Sequence, residues 1–421
     1  MLQSEFAQPI ITSDERPANR TGPEGTEVMN RILGYCTNVH PGADLETTRR
    51  NLAEHAVAVK QLVSPDQSIG VGLWLSAQAA DKMRKQDAVG EFAGWLAEVG
   101  LIPFTLNGFP FGDFHQPVVK HAVYHPTWYD TARLDYTVGL IEILDRLLPQ
   151  GLEGSISTVP LEWGSPRPDA DRLHEHAANL RKIVEHLEQL EQERGRLIYL
   201  CLEPEPGCVL QRSEDVVRFF EDHLLADGKE GTVRRYLRVC HDVCHSAVMF
   251  EDQTEVLRRY QAAGIAVGKV QISSAVVLPW DRIAAVDRVA ALEQFRRFAE
   301  DRYLHQTVVR ESPDASPVFW EDLPLALRTV EDPARLTGQW RVHFHVPIYL
   351  ERFGPIETSR DQIDACLATA CEMVDLSHFE VETYAWGVLP AELQQPRLAD
   401  GIAREMRWLR ERVPTSADCE T

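Results

Sequence analysis

Three runs end an apolar stretch on an acid: Leu202-Glu203-Pro204-Glu205-Pro206, Cys240-His241-Asp242-Val243-Cys244-His245 and Glu380-Val381-Glu382-Thr383-Tyr384. Proline after Glu203 prevents that carboxylate from being absorbed into a continuing helix. Acids that converge on one point repel one another unless a cation holds them, and oxygen-rich donor sets suit Mg²⁺, Mn²⁺ or a similar ion. A single acid at such a position serves equally well as a helix cap or a loop ion pair. Three of them, each closing a separate strand-like run, point to a divalent-metal site formed by Glu203, Asp242 and Glu382. Cys240 and Cys244 with His241 and His245 are a zinc alternative, but the spacing is not C-x-x-C and no second pair completes four ligands.

Positioning these acids requires parallel strands that end at one face. Short apolar runs at Arg31–Cys36, Ile69–Leu75, Leu101–Leu106, Ser155–Val159, Leu197–Leu202, Leu237–Cys240, Val267–Ile272 and Phe379–Glu382 alternate with helical patterns. Leu45, Leu52, Ala56, Val59 and Val63 lie on one helical face, as do Ile141, Leu144 and Leu148. Ser359 and Gln362 have capping-box spacing before Ile363. Eight strand–helix units predict an α/β fold, a (β/α)₈ TIM barrel, whose functional residues sit at the C-terminal ends of the strands. No glycine fingerprint follows the first strand, which argues against a dinucleotide-binding sheet.

Between Gln271 and Phe379 the chain far exceeds the roughly 30–40 residues of one βα unit. Leu304–Arg310 and Trp340–Ile348 read as strands inside it, so residues 277–340 are expected to form a hairpin-like insertion at the barrel mouth after strand seven. Residues 1–30, polar and rich in Pro, Gly and Glu, read as a loose tail, 31–412 as one barrel domain and 413–421 as a C-terminal tail. The loops after the first and third strands carry Asn38, His40, Asn107, Asp113, His115, His121 and His125. Among Tyr35, Phe109, Phe111, Phe114, Tyr124, Trp128 and Trp386 they suggest an aromatic-walled pocket, with Asn38, His40, Asn107, His115 and Trp386 binding substrate.

Glu203-Pro204, Asp242-x-x-His245 and Val381-Glu382 resemble the xylose-isomerase-like sugar isomerase and epimerase superfamily. That resemblance implies a divalent ion (Mg, Mn, Zn or Co) held by Glu, Asp, His and Glu from strands five to eight. It also implies that Glu203 and Glu382 move the substrate proton, with His245 beside them. The seventh strand departs from the pattern: where the superfamily's imidazole would stand, Gly268-Lys269-Val270-Gln271 offers only Gln271. His343 and His345, alternating on one face of an expected strand, could replace it. A likeness over nearly the whole chain is to the EboE-type metabolite traffic proteins, carried by Gly34–His40, Asn107–His115, Lys269–Ala275 and His343–Pro347. It implies partners among other proteins of a metabolite-transport gene cluster.

A net charge of −21 argues against a nucleic-acid partner, which needs a basic face. No apolar run approaches 18 residues, no signal peptide opens the chain, and the eight cysteines follow no framework. A cytoplasmic protein with reduced thiols, not embedded in a membrane, is expected. The leading expectation is a metal-dependent isomerase or epimerase acting on a small polyhydroxylated, sugar- or cyclitol-like metabolite. The alternatives are a catalytically reduced barrel that carries a metabolite for a transport or biosynthesis system, and a metal-dependent hydrolase on the same scaffold.

Overall fold

The computed structural model describes residues 31–413 apart from 86–87 and 226–227. The expected tail over 1–30 and the last residues of the expected C-terminal tail lie outside the described residues. Fourteen strands follow in chain order. β1 is Ile32–Cys36, β2 Ile69–Trp74, β3 Leu101–Asn107, β4 Gly154–Thr158, β5 Ile198–Leu202, β6 Leu237–Asp242 and β7 Val267–Ile272. Then come β8 Val276–Pro279, β9 Thr307–Arg310, β10 Val318–Trp320, β11 Gln339–Val342, β12 Arg352–Phe353, β13 Ile356–Thr358 and β14 His378–Val381. The order β1-β14-β7-β6-β5-β4-β3-β2 closes a barrel in which every pairing is parallel. The fold is a (β/α)₈ barrel.

Local chemistry sets the elements around it. The helix Ala170–Arg194 starts where the Asp169 side chain accepts the Arg172 N–H at 2.9 Å, and stops at Gly195, whose φ of 66° needs no Cβ. Its inward face repeats at three- and four-residue steps through His176, Ala177, Leu180, Ile183, Val184 and Leu187.

The barrel interior holds a charged layer. Lys269 on β7 and Glu380 on β14 form an ion pair with no solvent exposure, and the Lys269 Nζ also donates to Thr105 Oγ1 at 3.1 Å. Burial alone would lower the Lys269 ammonium, but the adjoining Glu380 carboxylate overrides it and holds the group above its usual range. Gly72 makes room for this layer: a Cβ there would lie 1.4 Å from Glu380 Oε1.

The insertion is larger than a hairpin within 277–340. It runs from β8 to β13 as a six-stranded sheet in the order β10-β9-β11-β8-β13-β12, with every pairing antiparallel. The short strands β12 and β13 carry too few residues to show alternation in sequence. The expected strand at Trp340–Ile348 ends at Val342, and residues 343–347 are irregular. The spacing at Ser359 and Gln362 makes no capping box either: the Ser359 hydroxyl accepts the Ala275 N–H at 2.8 Å, tying the insertion's exit to its entry.

Glu405, on the last helix, Leu398–Arg410, accepts hydrogen bonds from the Ile348 N–H, the Thr383 hydroxyl and the Trp386 Nε1–H. Burial pushes its carboxyl up to about 7 in spite of these donors. A group whose folded value exceeds its unfolded value contributes its full stability below the unfolded value, near pH 4.5, and loses it as pH climbs through 7. The loss amounts to about 3 kcal/mol. Denaturant unfolding at pH 5 and pH 8 should show wild type losing about that much more than Glu405→Gln. Equal losses in the two proteins would contradict it. Among the described residues no helix is long and apolar enough to cross a membrane, and the seven described cysteines form no disulfide.

Candidate metal centre at the barrel mouth

Glu203 follows β5, Asp242 closes β6 and Glu382 follows β14, so three parallel strands deliver their acids to the same end of the barrel. One carboxylate oxygen from each lies within 4.8 Å of the others, and all three residues are buried. Asp242 is held by one oxygen: Oδ1 accepts the His245 N–H and the Ser273 hydroxyl, both at 2.8 Å. Glu382 Oε1 accepts the Asn38 amide at 2.8 Å and the Asn107 amide at 3.1 Å.

The insertion brings imidazoles to this cluster although residues 343–347 are not a strand. The His343 N–H donates to the Gln306 carbonyl at 2.8 Å and the Val346 N–H to the Ser274 carbonyl at 3.0 Å, which pins the run across the mouth. His345 Nδ1 donates to the Glu382 carbonyl at 2.7 Å, leaving Nε2 as a lone pair 4.0 Å from Asp242 Oδ2. Both atoms are buried and neither has a hydrogen-bond partner. Two acceptors facing each other in a dry pocket, with two more carboxylates alongside, need a proton or a cation between them. This donor set fits a divalent ion: Glu203, Asp242 and Glu382 supply oxygens and His345 a nitrogen.

Gln271 is placed differently. Its amide group donates to Glu203 Oε1 at 2.8 Å and Oε2 at 3.2 Å, so it orients Glu203 and turns no lone pair toward the cluster. His343 is one step removed: its Nε2 meets His245 Nε2 at 3.1 Å, and His245 Nδ1 donates to the Pro204 carbonyl at 2.9 Å.

The electrostatics follow from burial and crowding. Desolvation, with Asp242 adding to it against the pull of His245, raises Glu203 to about 8. Glu382 is pushed well above the carboxylate range by burial and then by Glu203 and Asp242. Burial would also raise Asp242, but the His245 and His345 rings and the two donors on Oδ1 bring it below its ordinary value. His345 falls to about 4, chiefly through burial.

A cavity of about 60 Å³ opens onto Glu203, Glu382, His245, His343 and His345, with Asn38 and Asn107 on its wall. At 10–15 Å³ per water this admits an ion and a few waters or one small ligand. Phe114, Tyr303 and Tyr384 line it with ring centroids 4.9–5.4 Å apart. Of the expected aromatic wall, Phe109, Phe114 and Tyr124 line the cavity, whereas Tyr35, Phe111, Trp128 and Trp386 do not. Three of the expected substrate contacts do not line this cavity. His40 turns to the Tyr35 hydroxyl at 3.1 Å and stacks on His55. His115 binds the Asn38 carbonyl at 2.7 Å, and Trp386 is tied to Glu405. His121 pairs with Glu321. The zinc alternative does not assemble, because His241 is bound to Gln253 and Cys240 Sγ lies against the Gln271 amide at 3.2 Å.

Sequence reasoning missed Glu205, Gln306, Tyr303 and Tyr384. Glu205 stood two residues past Glu203 in the same Glu-Pro-Glu-Pro run; Tyr303 and Gln306 lie in the insertion, where no motif marks them.

No family model matches the chain, and no curated protein matches it. Among solved structures it is similar to the probable 3-DHS dehydratase AsbF involved in petrobactin synthesis from Bacillus anthracis. The two share 12% identity over 90% of this chain and 98% of that one, with a TM-score of 0.45. It is also similar to a xylose isomerase domain protein from Alicyclobacillus acidocaldarius, with 10% identity over 93% and 99% of the two chains and a TM-score of 0.41. A third similar structure is the IOLI protein with a binding zinc atom, with 12% identity, coverage of 82% and 98%, and a TM-score of 0.37. The barrel assignment rests on this chain's own closed strand order.

Proposed function

We propose that this barrel is a metal-dependent isomerase or epimerase acting on a small polyhydroxylated metabolite, sugar- or cyclitol-like. The observation that carries the reading is the buried, unpartnered pair Asp242 Oδ2 and His345 Nε2, set between Glu203 and Glu382. Glu203, Asp242, Glu382 and His345 would hold the ion. Bound there, it would supply Lewis acidity to a substrate carbonyl or hydroxyl oxygen. Glu203 and Glu382 both line the cavity and both are raised by burial. Two carboxylates lining one cavity can accept and return a substrate proton between them. Asn38 and Asn107 orient Glu382, Gln271 orients Glu203, and the aromatic rings keep bulk water from the cavity.

The segments that carry the likeness to EboE-type proteins, Gly34–His40, Asn107–His115, Lys269–Ala275 and His343–Pro347, all contribute to this mouth, which supports the finer reading of a cytoplasmic protein serving metabolite traffic. One observation favours a carrier that has lost turnover: the Gln271 amide occupies Glu203 from the strand where the resemblance calls for an imidazole.

Solvent-deuterium exchange separates the two. An enzyme, supplied with Mg²⁺, Mn²⁺, Zn²⁺ or Co²⁺ and a panel of ketoses and inososes, should wash deuterium into the carbon next to the carbonyl. Glu203→Gln and Glu382→Gln should each abolish the label. Binding without any label in wild type would establish the carrier instead.

A further inference from the structure

Beside the cluster assigned above lies a second convergence of donors that shares no ligand with it. The tautomers of His245 and His343 follow from their partners. Gln306 Nε2 donates to Glu205 Oε1 at 2.8 Å, the Tyr124 hydroxyl at 2.9 Å and the Pro206 carbonyl at 3.2 Å, which fixes its amide orientation. Gln306 Oε1 therefore faces His343 Nδ1 at 2.8 Å and must accept its proton. His245 Nδ1 likewise donates to the Pro204 carbonyl at 2.9 Å. With both Nδ1 atoms committed as donors, each neutral ring carries its lone pair on Nε2, and these two nitrogens face each other at 3.1 Å with the rings nearly perpendicular. Two lone pairs at that distance repel unless a proton or a metal ion lies between them. Glu205 stands beside the pair: its Oε1 lies 3.5 Å from His343 Nδ1, and one ligand atom from each of Glu205, His245 and His343 lies inside a common 4.8 Å set, all three buried.

We infer that His245, His343 and Glu205 form a second divalent-metal site, next to the Glu203/Asp242/Glu382/His345 set and selective for a borderline ion such as Zn²⁺ or Co²⁺. Two imidazoles and one carboxylate suit such ions, whereas Mg²⁺ prefers oxygen donors. The second-layer support that fixes metal-bound histidines is already in place: a carbonyl on each Nδ1, and Tyr124 and Gln306 on the carboxylate. His343 comes from the insertion and Glu205 from the loop after β5, so the site exists only because the insertion folds back over the mouth. A centre able to hold two adjacent ions widens the chemistry beyond proton transfer, since paired ions can orient a water and stabilise a leaving oxygen.

Equilibrium dialysis of the full chain, stripped with chelator and reloaded, tests this without reference to activity. Wild type should bind two Zn²⁺ but one Mg²⁺. His343→Ala should bind one Zn²⁺, with affinity at the second locus reduced about 100-fold or more, and should still bind one Mg²⁺. His343→Gln, which retains a polar side chain, should behave the same way. The Glu203→Gln/Asp242→Asn double variant should keep the Zn²⁺ that His343→Ala loses. A single Zn²⁺ in wild type that survives both His343 substitutions would overturn the proposal and assign the 3.1 Å contact to a shared proton. A single Zn²⁺ lost on His343 substitution but kept in the double variant would uphold this site and remove the one assigned above.

Discussion

Asp242→Asn is expected to remove most of the Mg²⁺-dependent stabilisation of this protein while leaving its fold intact. Asn can keep the Oδ1 contacts to the His245 N–H and Ser273. Its Nδ2 takes the place of Oδ2, presenting a donor to the His345 lone pair where an acceptor stood. In wild type, a free ion at 100 times its dissociation constant should add about 2.7 kcal/mol to unfolding stability. A variant weakened by about 100-fold should gain only about 0.4 kcal/mol at the same concentration. Without metal the variant should be the less stable protein at neutral pH, because Asp242 is held below its ordinary value and the fold therefore favours a charge that Asn lacks. Thermal or denaturant unfolding with and without Mg²⁺, which the oxygen-rich set alone should take, reads both effects. A metal-induced gain as large in the variant as in wild type would rule out Asp242 as a ligand.

The second large effect lies one layer below. Lys269 and Glu380 are both without solvent exposure and are paired to each other. Removing one leaves the other charged in a dry interior. Glu380→Ala or Lys269→Met alone should therefore lower stability by about 3–5 kcal/mol. Replacing both, Lys269→Met with Glu380→Met, should recover most of the loss, because an apolar pair of similar volume carries no desolvation penalty. Gly72 tolerates this swap only if the new side chain follows the path of Glu380, since nothing larger than hydrogen fits against it there. Chemical denaturation of the two single variants and the double variant measures the cycle. Single variants within about 1 kcal/mol of wild type would show that the interior admits water. The pair also bears on chemistry, because the Lys269 ammonium partly offsets the upward push on Glu203 and Glu382.

Local information was enough for the barrel. Each of its eight strands fell within two residues of the run read from apolar pattern, because a strand buried on both faces leaves a continuous apolar signature. The positions of Glu203, Asp242 and Glu382 at strand ends were legible for the same reason: an acid interrupting such a run can only stand at its edge. That Gln271 offers no imidazole was equally plain from the residue itself.

What the tertiary structure decided is which side chains close the site. His343 and His345 sit in a segment without regular structure, and their placement depends on hydrogen bonds to Gln306, Ser274 and Glu382, none of them near in sequence. His40, His115 and Trp386 had the right residue types in the right loops, yet one ring nitrogen of each is engaged outside the cavity, by Tyr35, the Asn38 carbonyl and Glu405 respectively. A loop side chain's direction is set by the partner it finds, and pattern carries no record of that partner. The insertion's short antiparallel strands escaped for a related reason: two- and three-residue strands have no periodicity to read, and only pairing across the sheet defines them. Sequence alone thus determined the scaffold and its three acids, because both are written in local burial, whereas the imidazoles and the cavity wall depend on contacts between segments far apart in the chain.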